Sequence, residues 1–149
     1  MKHITWSLLM VLSVLFVACS TYSEEEKKDF DKKIQKHLDK QGLSYTKTDS
    51  GLYYEMIEEG EGENIKFRDV ITVNYIGSLT SGKEFDAQDS MEFRISGQIG
   101  AWQEMLLMMK KGSKANLIAP PQLGYADQKQ EGIPKNSILI YEIEVLDVK

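Results

Sequence analysis

The amino-acid sequence predicts an α+β fold, in which an antiparallel twisted β half-barrel wraps around one short α-helix and a charged helix precedes the sheet. Three observations support this prediction. Several segments alternate apolar and polar residues with a period of 2, which is typical of half-buried strands. One segment, from Ile99 to Met109, instead has the helical period of 3.6. Predicted strands lie before and after this helix, an order that favours one helix packed against an antiparallel sheet.

The length and composition fit one globular domain with an appendage. The chain has 149 residues, of which 42% are hydrophobic. Its 18 basic and 23 acidic side chains give a formal net charge of -5, which offers no positive surface for a phosphate backbone. Its single cysteine cannot form an internal disulfide, and its two histidines lack a zinc-binding spacing. We therefore expect no nucleic acid and no metal among the partners.

The first 18 residues are similar to a removable secretion signal. Lys2 and His3 precede an apolar run over residues 4–18, which is shorter than the roughly 20 apolar residues of a membrane-spanning helix. The run ends in Leu15-Phe16-Val17-Ala18-Cys19, which resembles a bacterial lipobox with phenylalanine in place of the usual leucine. The resemblance implies that Cys19 carries a diacylglyceryl thioether and, after cleavage, a further acyl chain. The alternative is an ordinary secretory signal that is cut nearby.

Lipidation is the preferred interpretation because the chain's one cysteine stands where the apolar run ends. Acyl chains contribute about 0.8 kcal/mol per buried methylene, so several chains give stable anchoring. We expect a membrane-anchored lipoprotein of the cell envelope, in the outer membrane and facing the periplasm or the surface. The expected organisation is a lipoprotein signal peptide (1–18), a lipidated tether with an amphipathic helix (19–48) and a globular domain (49–149).

The charged helix is predicted to begin after Ser23, because Ser23 and Glu26 have the spacing of a capping box. Its apolar residues form one stripe, made of Phe30, Ile34 and Leu38. Gly42 follows as a residue suited to the C-terminal cap. We expect this helix to be a short amphipathic spacer between the anchor and the domain. The alternative is a helix that packs or dimerises.

Two strands are predicted in the first part of the domain. The first covers residues 53–57 and ends at the glycine-containing turn 59–62. The second covers residues 70–79 and places Ile71, Val73 and Tyr75 on one face. That face is expected to point into the core.

A third strand is predicted after the turn at Ser81-Gly82. It covers residues 83–86, gives way to a polar loop over residues 87–90, and alternates again at Met91, Phe93 and Ile95. The edge of the sheet is therefore expected to be interrupted by this loop.

The helix inside the domain has apolar residues at Ile99, Trp102, Met105, Leu106 and Met109 and is predicted to end at residues 110–112. We expect its methionines, Met105, Met108 and Met109, to fill the core; an adaptable surface for client proteins is the alternative. Strands are predicted to resume at residues 115–119 and 139–145. In the last strand one face carries Leu139, Tyr141, Ile143 and Val145.

Five motifs of the domain, taken in order, resemble the FK506-binding-protein (FKBP) type of peptidyl-prolyl isomerase. They are Val73-Asn74-Tyr75-Ile76-Gly77, Gly82-Lys83-Glu84-Phe85-Asp86, Ile99-Gly100-Ala101-Trp102, Ala119-Pro120-Pro121-Gln122-Leu123-Gly124-Tyr125 and Gly132-Ile133-Pro134-Lys135-Asn136-Ser137-Ile138-Leu139. Each motif alone is weak, but the ordered set is hard to obtain by chance. The lipobox and the charged helix before the domain are similar to envelope lipoproteins of this family.

The resemblance implies an FKBP-like fold and an isomerase that accelerates rotation about X-Pro bonds of envelope proteins. Trp102 would form the floor under the proline ring, and the Ile133 amide and the Tyr125 hydroxyl would bind ligand carbonyls. The expected catalytic residues are Tyr75, Asp86, Trp102, Tyr125 and Ile133, and the expected substrate-binding residues are Phe85, Phe93, Ile99 and Tyr141. The alternative is core packing for the aromatic residues and a turn role for Asp86.

Such a pocket needs few titrating groups. Rotation about an X-Pro bond is slow because twisting sacrifices amide resonance, with a barrier of about 18–20 kcal/mol. The twisted amide has less charge separation than the planar one, so an apolar pocket that removes water favours the twist. The sequence has no Ser-His-Asp, Cys-His or phosphate-loop pattern. We therefore expect no metal and no cofactor.

Several positions depart from the family's pattern. Gln98 stands in place of valine, Met91 in place of an aromatic residue and Tyr141 in place of phenylalanine. Lys135 replaces a second proline, and Ala126 replaces a glycine. These departures bear on inhibitor affinity, substrate choice and turnover more than on fold. The alternatives to an isomerase are a non-catalytic FKBP-like binding module or chaperone, which holds proline-containing clients or a membrane partner complex, and a structural lipoprotein with an inactive pocket.

Overall fold

A computed structural model describes residues 21–149, so the predicted signal peptide (1–18) and the predicted lipidation site Cys19 lie outside the described residues. The elements in chain order are α1 (Glu24–Gln41), β1 (Thr46–Lys47), β2 (Tyr53–Glu58), β3 (Val70–Leu79), β4 (Glu84–Arg94), α2 (Gly100–Leu107), β5 (Lys114–Ala119) and β6 (Leu139–Val148). Single-turn 3₁₀ helices cover Ile95–Gly97 and Pro121–Leu123.

The six strands form one sheet in the order β1-β2-β5-β6-β3-β4, and each pair of neighbours is antiparallel. Alternate residues of β3 and β6 point inward, as their period of 2 predicts, and are buried against α2. From α2 the core receives Ala101, Trp102, Met105 and Leu106, and Met109 follows the helix into it. The predicted α+β fold, with an antiparallel sheet around one short helix, is therefore confirmed.

Helix α1 begins at the predicted capping box. The Ser23 hydroxyl accepts the N–H of Glu26, and the Glu26 carboxylate accepts the N–H of Ser23. The helix ends at Gly42, whose φ of 67° is the left-handed conformation that glycine adopts without strain. Both predicted ends are confirmed.

Helix α1 packs on the sheet, so the interpretation of this helix as a mere spacer is wrong. Ile34 and Leu38 are buried against Tyr53 of β2 and Ile118 of β5. The Tyr53 hydroxyl donates a hydrogen bond to Asp31, which also pairs with Lys47 at 2.5 Å. Tyr53 and Ile118 thus form an apolar patch on the face of the sheet opposite α2, and Ile34 and Leu38 of α1 cover this patch.

Strand β4 runs through residues 87–90, where the sequence predicts a polar loop. The strand takes up one extra residue as a bulge, because Val73 pairs with Met91 whereas Tyr75 pairs with Gln88. Ser90 has a φ of 54° in this bulge, and its N–H donates to the side chain of Asn74 at 2.9 Å. Polar residues on an edge strand remain solvated, so they do not end it.

Helix α2 ends at Leu107, earlier than the predicted end at residues 110–112. After the helix, the Met109 carbonyl accepts the N–H of Ile65 and the Ser113 hydroxyl accepts the N–H of Lys110. These contacts replace helical hydrogen bonds while Met109 stays fully buried. The core-filling role expected for Met105 and Met109 is confirmed.

Across residues 21–149, no helix combines the length and apolar character needed to span a bilayer.

Candidate active site

An aromatic cavity of about 570 Å³ opens between α2, the inner face of β3 and β6, strand β4 and the segment that precedes β6. Every residue of the predicted pocket except Phe93 lines it: Tyr75, Phe85, Asp86, Ile99, Trp102, Tyr125, Ile133 and Tyr141. Residues that are up to 66 positions apart in the chain thus meet in one site. Tyr75, Trp102, Ile133 and Tyr141 belong to the buried core as well, so core packing and a place in the cavity lining hold together for these side chains.

Trp102 lies at the base of the cavity and is only 4% exposed. It lies in the first turn of α2, where its backbone N–H donates to the Ile99 carbonyl at 3.0 Å. The rings of Tyr75 and Tyr141 pack edge-on against the indole, with centroid distances of 4.8 and 5.3 Å. Its buried indole Nε1 has no hydrogen-bond partner within residues 21–149. The base of the cavity is therefore formed by Trp102 with the rings of Tyr75 and Tyr141 packed edge-on against it.

Phe93 does not line the cavity, so its predicted role in substrate binding is not supported by its position. Its ring packs against Trp102 with a centroid distance of 5.3 Å. Phe93 therefore contacts the floor residue Trp102 without lining the cavity.

The first motif of the site ends in Gly77, where the neighbouring aromatic rings leave no room for a side chain. A Cβ added there would lie 2.6 Å from the Phe85 ring and 2.9 Å from the Tyr141 ring. Real Cβ atoms do not approach so closely, so any larger residue would displace these rings. The glycine of β3 lets Phe85 and Tyr141 pack edge-on at a centroid distance of 5.6 Å.

One wall of the cavity is polar. The Tyr75 hydroxyl on β3 donates a hydrogen bond to the Asp86 carboxylate on β4, and the Gln88 amide lies 3.4 Å from the other carboxylate oxygen. Burial, reinforced by the Asp86 carboxylate, raises the pKa of Tyr75 well above its ordinary value. Asp86 lies within β4, so the alternative of a turn role is wrong.

Tyr141 and Tyr125 bring two further hydroxyl groups to the cavity. Burial raises the pKa of Tyr141, and the neighbouring Tyr125 and Tyr75 strengthen the shift. A tyrosine hydroxyl can accept one hydrogen bond and donate another, so the Tyr125 hydroxyl can donate to a ligand carbonyl.

The Ile133 amide, which the family resemblance assigns to a ligand carbonyl, has a partner inside the chain. Its N–H donates to the Gln130 carbonyl at 3.1 Å, and the Gln130 N–H donates to the Ile133 carbonyl at 3.1 Å. A ligand carbonyl would have to replace the Gln130 carbonyl. The Ile133 side chain is buried, and it lines the cavity regardless of this bond.

Sequence reasoning missed several rim residues: Lys83, Glu84, Gln130, Glu131 and Gly132. Lys83, Glu84 and Gly132 belong to the quoted motifs, and Gln130 and Glu131 stand within three positions of Ile133, so motif membership and adjacency are the signals that could have identified them. Met91 and Gln98, which depart from the family's pattern, also line the cavity, whereas Lys135 does not. The rim is thus polar and charged above an aromatic floor.

The arrangement can bind an apolar ring, remove water from it, and present hydroxyl groups to carbonyl oxygens. In the part of the chain from residue 21 onward, no three histidine, cysteine, aspartate or glutamate side chains are grouped to hold a metal ion.

A sequence model of the family described as FKBP-type peptidyl-prolyl cis-trans isomerase matches residues 61–146. The chain is 40% identical over 131 residues to the FKBP-type peptidyl-prolyl cis-trans isomerase FkpA of Escherichia coli strain K12, with 85% of this chain and 47% of that protein covered. It is 45% identical over 121 residues to FkpA of Buchnera aphidicola subsp. Schizaphis graminum, with 78% and 47% covered. The chain thus spans about half the length of the curated relatives it matches.

Solved structures share the fold. The crystal structure of FkpA from Escherichia coli has a TM-score of 0.73 and 38% identity, and the match covers 85% of this chain and 62% of that one. The crystal structure of AtFKBP13 has a TM-score of 0.66 and 27% identity, and the match covers 72% of this chain and 100% of that one.

Proposed function

The chain belongs to the FKBP-type peptidyl-prolyl cis-trans isomerase family, and we propose that it accelerates rotation about X-Pro bonds of polypeptide substrates. The observation that carries this proposal is the cavity whose floor is Trp102 and whose walls are Tyr75, Phe85 and Tyr141. A cavity of about 570 Å³ lies in the range of small-molecule sites and can take a proline ring with its neighbours.

The proposed mechanism is desolvation of the amide. The planar X-Pro amide is stabilised in water by its charge separation, and rotation costs about 18–20 kcal/mol. The twisted amide loses this resonance and is less polar, so an aromatic site disfavours it less than it disfavours the planar form. A barrier lower by about 4 kcal/mol corresponds to roughly a thousandfold in rate. No covalent bond is broken, and no proton transfer is required.

The position of each side chain supports the following proposed roles. Trp102 would carry the proline ring, and Phe85, Ile99 and Tyr141 would exclude water around it. The Tyr125 hydroxyl would bind a substrate carbonyl next to the proline. Tyr75 and Asp86 would form the polar wall that orients the twisting amide.

A non-catalytic binding module or chaperone for proline-containing clients is the second candidate. The observation that favours it is the internal hydrogen bond between the Ile133 amide and Gln130, which occupies a donor that the family resemblance assigns to the ligand. The cavity residues Gln98, which is polar, and Met91, which is not aromatic, also differ from the family's pattern. A binder would hold the proline ring without lowering the barrier.

Peptide exchange experiments separate the two candidates. Binding of an Ala-X-Pro peptide to the full chain and its cis-trans exchange rate are measured by NMR on the same samples. An isomerase binds the peptide and accelerates exchange, and Trp102→Ala and Asp86→Val lower the acceleration. Binding without acceleration in the wild type would overturn the isomerase proposal and favour the binding module.

We further propose that Cys19 is lipidated after removal of residues 1–18 and that the residues between Cys19 and the docked helix α1 tether the isomerase domain to the envelope membrane, in the outer membrane. The lipobox-like ending at Cys19 supports this proposal. Envelope proteins with X-Pro bonds would then be the substrates. Mass spectrometry of the membrane-extracted N-terminus tests the anchor, and an unmodified Cys19 would contradict it.

A further inference from the structure

Tyr22 joins the segment before α1 to the loop region beside the pocket. Its side chain is only 5% exposed, and its ring packs edge-on against Phe30 with a centroid distance of 5.1 Å. Its hydroxyl donates a hydrogen bond to the Asn136 side-chain oxygen at 2.6 Å, across 114 positions of sequence. The contact lies outside the cavity described above, since neither Tyr22 nor Asn136 lines it.

Asn136 lies where two pocket-lining segments meet. Its N–H donates to the Ala126 carbonyl at 2.8 Å. Ala126 directly follows Tyr125, and Asn136 stands three positions after Ile133. A single backbone hydrogen bond therefore links the segment that carries the Tyr125 hydroxyl to the segment that carries Ile133.

The backbone at this junction is strained. Ala126 has a φ of 52° and Asn136 a φ of 58°, the left-handed region that residues other than glycine rarely adopt. Asparagine tolerates this region better than alanine does, and such residues persist only where the surrounding contacts fix them. The hydrogen bond to Ala126 holds the Asn136 backbone, and the Tyr22 hydroxyl holds the Asn136 side chain.

We propose that Tyr22 is a positioning residue for the pocket, which holds Asn136 and through it the junction with Ala126, so that Tyr125 and Ile133 keep their substrate-binding positions. The inference rests on the proposed isomerase function, because it concerns the binding of substrate in that site. It assigns a role in the site to the segment before α1, where the family motifs assign none.

Kinetics and amide exchange of the full chain test this role. Tyr22→Phe removes the hydroxyl and keeps the ring contact with Phe30. Loss of one hydrogen bond is expected to raise KM for an X-Pro peptide by about threefold to tenfold while kcat changes by less than about twofold. Hydrogen exchange at the Asn136 amide is expected to accelerate by a similar factor.

Tyr53→Phe is the matched control. The Tyr53 hydroxyl also joins α1 to the domain, through Asp31, but Tyr53 does not line the pocket. This variant is expected to lower stability and to leave both KM and Asn136 exchange unchanged. A rise in KM for Tyr53→Phe equal to that for Tyr22→Phe would assign the effect to helix docking and overturn the inference.

Substitutions at Asn136 complete the test. Asn136→Gly keeps the left-handed backbone and removes the acceptor, so it should match Tyr22→Phe, and the double variant should be no worse than either. Asn136→Asp retains an acceptor oxygen and should keep the wild-type KM.

Wild-type KM and wild-type Asn136 exchange in Tyr22→Phe would overturn the inference. If the wild type itself does not accelerate exchange, the isomerase proposal fails, and peptide affinity with Asn136 exchange still decides the positioning role.

Discussion

The Tyr75 hydroxyl donates a hydrogen bond to the Asp86 carboxylate across the neighbouring strands β3 and β4. The same tyrosine ring packs edge-on against Trp102 at 4.8 Å, so one residue connects the floor of the cavity to its polar wall. Asp86 is exposed, and this hydrogen bond joins its carboxylate to the ring that packs on Trp102.

Tyr75→Phe keeps the ring and removes the donor. We expect kcat/KM for an X-Pro peptide to fall by about fivefold to tenfold and the free energy of unfolding to fall by about 1 kcal/mol, because the Asp86 carboxylate loses its partner. Peptide kinetics and urea denaturation measure the two effects. Tyr54→Phe, at a half-buried tyrosine that does not line the cavity, is the control and should leave kcat/KM unchanged. Unchanged kcat/KM in Tyr75→Phe would contradict the role of the pair.

Ala126→Gly is expected to stabilise the chain by about 1 kcal/mol. Ala126 has a φ of 52°, and a left-handed backbone costs alanine roughly 1–2 kcal/mol, whereas glycine adopts it freely and loses less than this in chain entropy. The midpoint of urea denaturation should rise with no change in slope. Ala115→Gly, in the extended strand β5, is the control and should destabilise. A lower midpoint for Ala126→Gly would show that no strain is stored there.

Stability is expected to fall at high pH through the buried tyrosines. Burial raises the pKa of Tyr141 and of Tyr75 above the ordinary tyrosine value of 10.0. Below about pH 10 these hydroxyls are protonated in both the folded and the unfolded chain, so they add no pH dependence. Above about pH 10 the unfolded chain releases protons that the folded chain retains, so the free energy of unfolding decreases as pH rises.

Tyr141→Phe tests this pH dependence. The variant lacks one of the tyrosine hydroxyls whose pKa is raised, so the fall in the free energy of unfolding between about pH 10 and pH 12 should be shallower, by up to about 1.4 kcal/mol per pH unit. Denaturation curves at several pH values measure the slope. Equal slopes for the wild type and Tyr141→Phe would contradict the assignment.

Ile34→Ala is expected to cost about 2–5 kcal/mol, because Ile34 is fully buried between α1 and the sheet. Ile76→Ala is the matched control, since Ile76 is 43% exposed on the outer face of β3 and should lose much less. Thermal or urea denaturation compares the two. A cost for Ile34→Ala no larger than that for Ile76→Ala would mean that α1 does not dock as described.

Local patterns predicted most of the fold. Strand β3 has the predicted bounds, because one face of it is buried and its alternation is regular. The start and end of α1 follow from Ser23, Glu26 and Gly42, which act on adjacent backbone groups. Most of the expected pocket residues came from the resemblance of five short motifs to the family, whereas Phe93 and Tyr141 lie outside these motifs.

Features that depend on distant partners could not be read from sequence. The bulge at Ser90 uses the side chain of Asn74 on the neighbouring strand, so residues 87–90 look like a loop. The docking of α1 depends on Tyr53 and Ile118, whose burial on the outer face breaks the simple inside-outside alternation. The internal bond of Ile133 to Gln130 likewise depends on how a polar loop folds back.

The proposed catalysis of X-Pro rotation in the aromatic cavity above Trp102 is tested by the cis-trans exchange rate of an Ala-X-Pro peptide. NMR measures this rate with catalytic amounts of the full chain and of Trp102→Leu. This substitution keeps an apolar side chain but removes the aromatic floor, and circular dichroism confirms that the variant is folded. We expect clear acceleration by the wild type and a loss of about tenfold or more in the variant, which corresponds to about 1.4 kcal/mol of barrier. No acceleration by the wild type, or equal acceleration by folded Trp102→Leu, would contradict it.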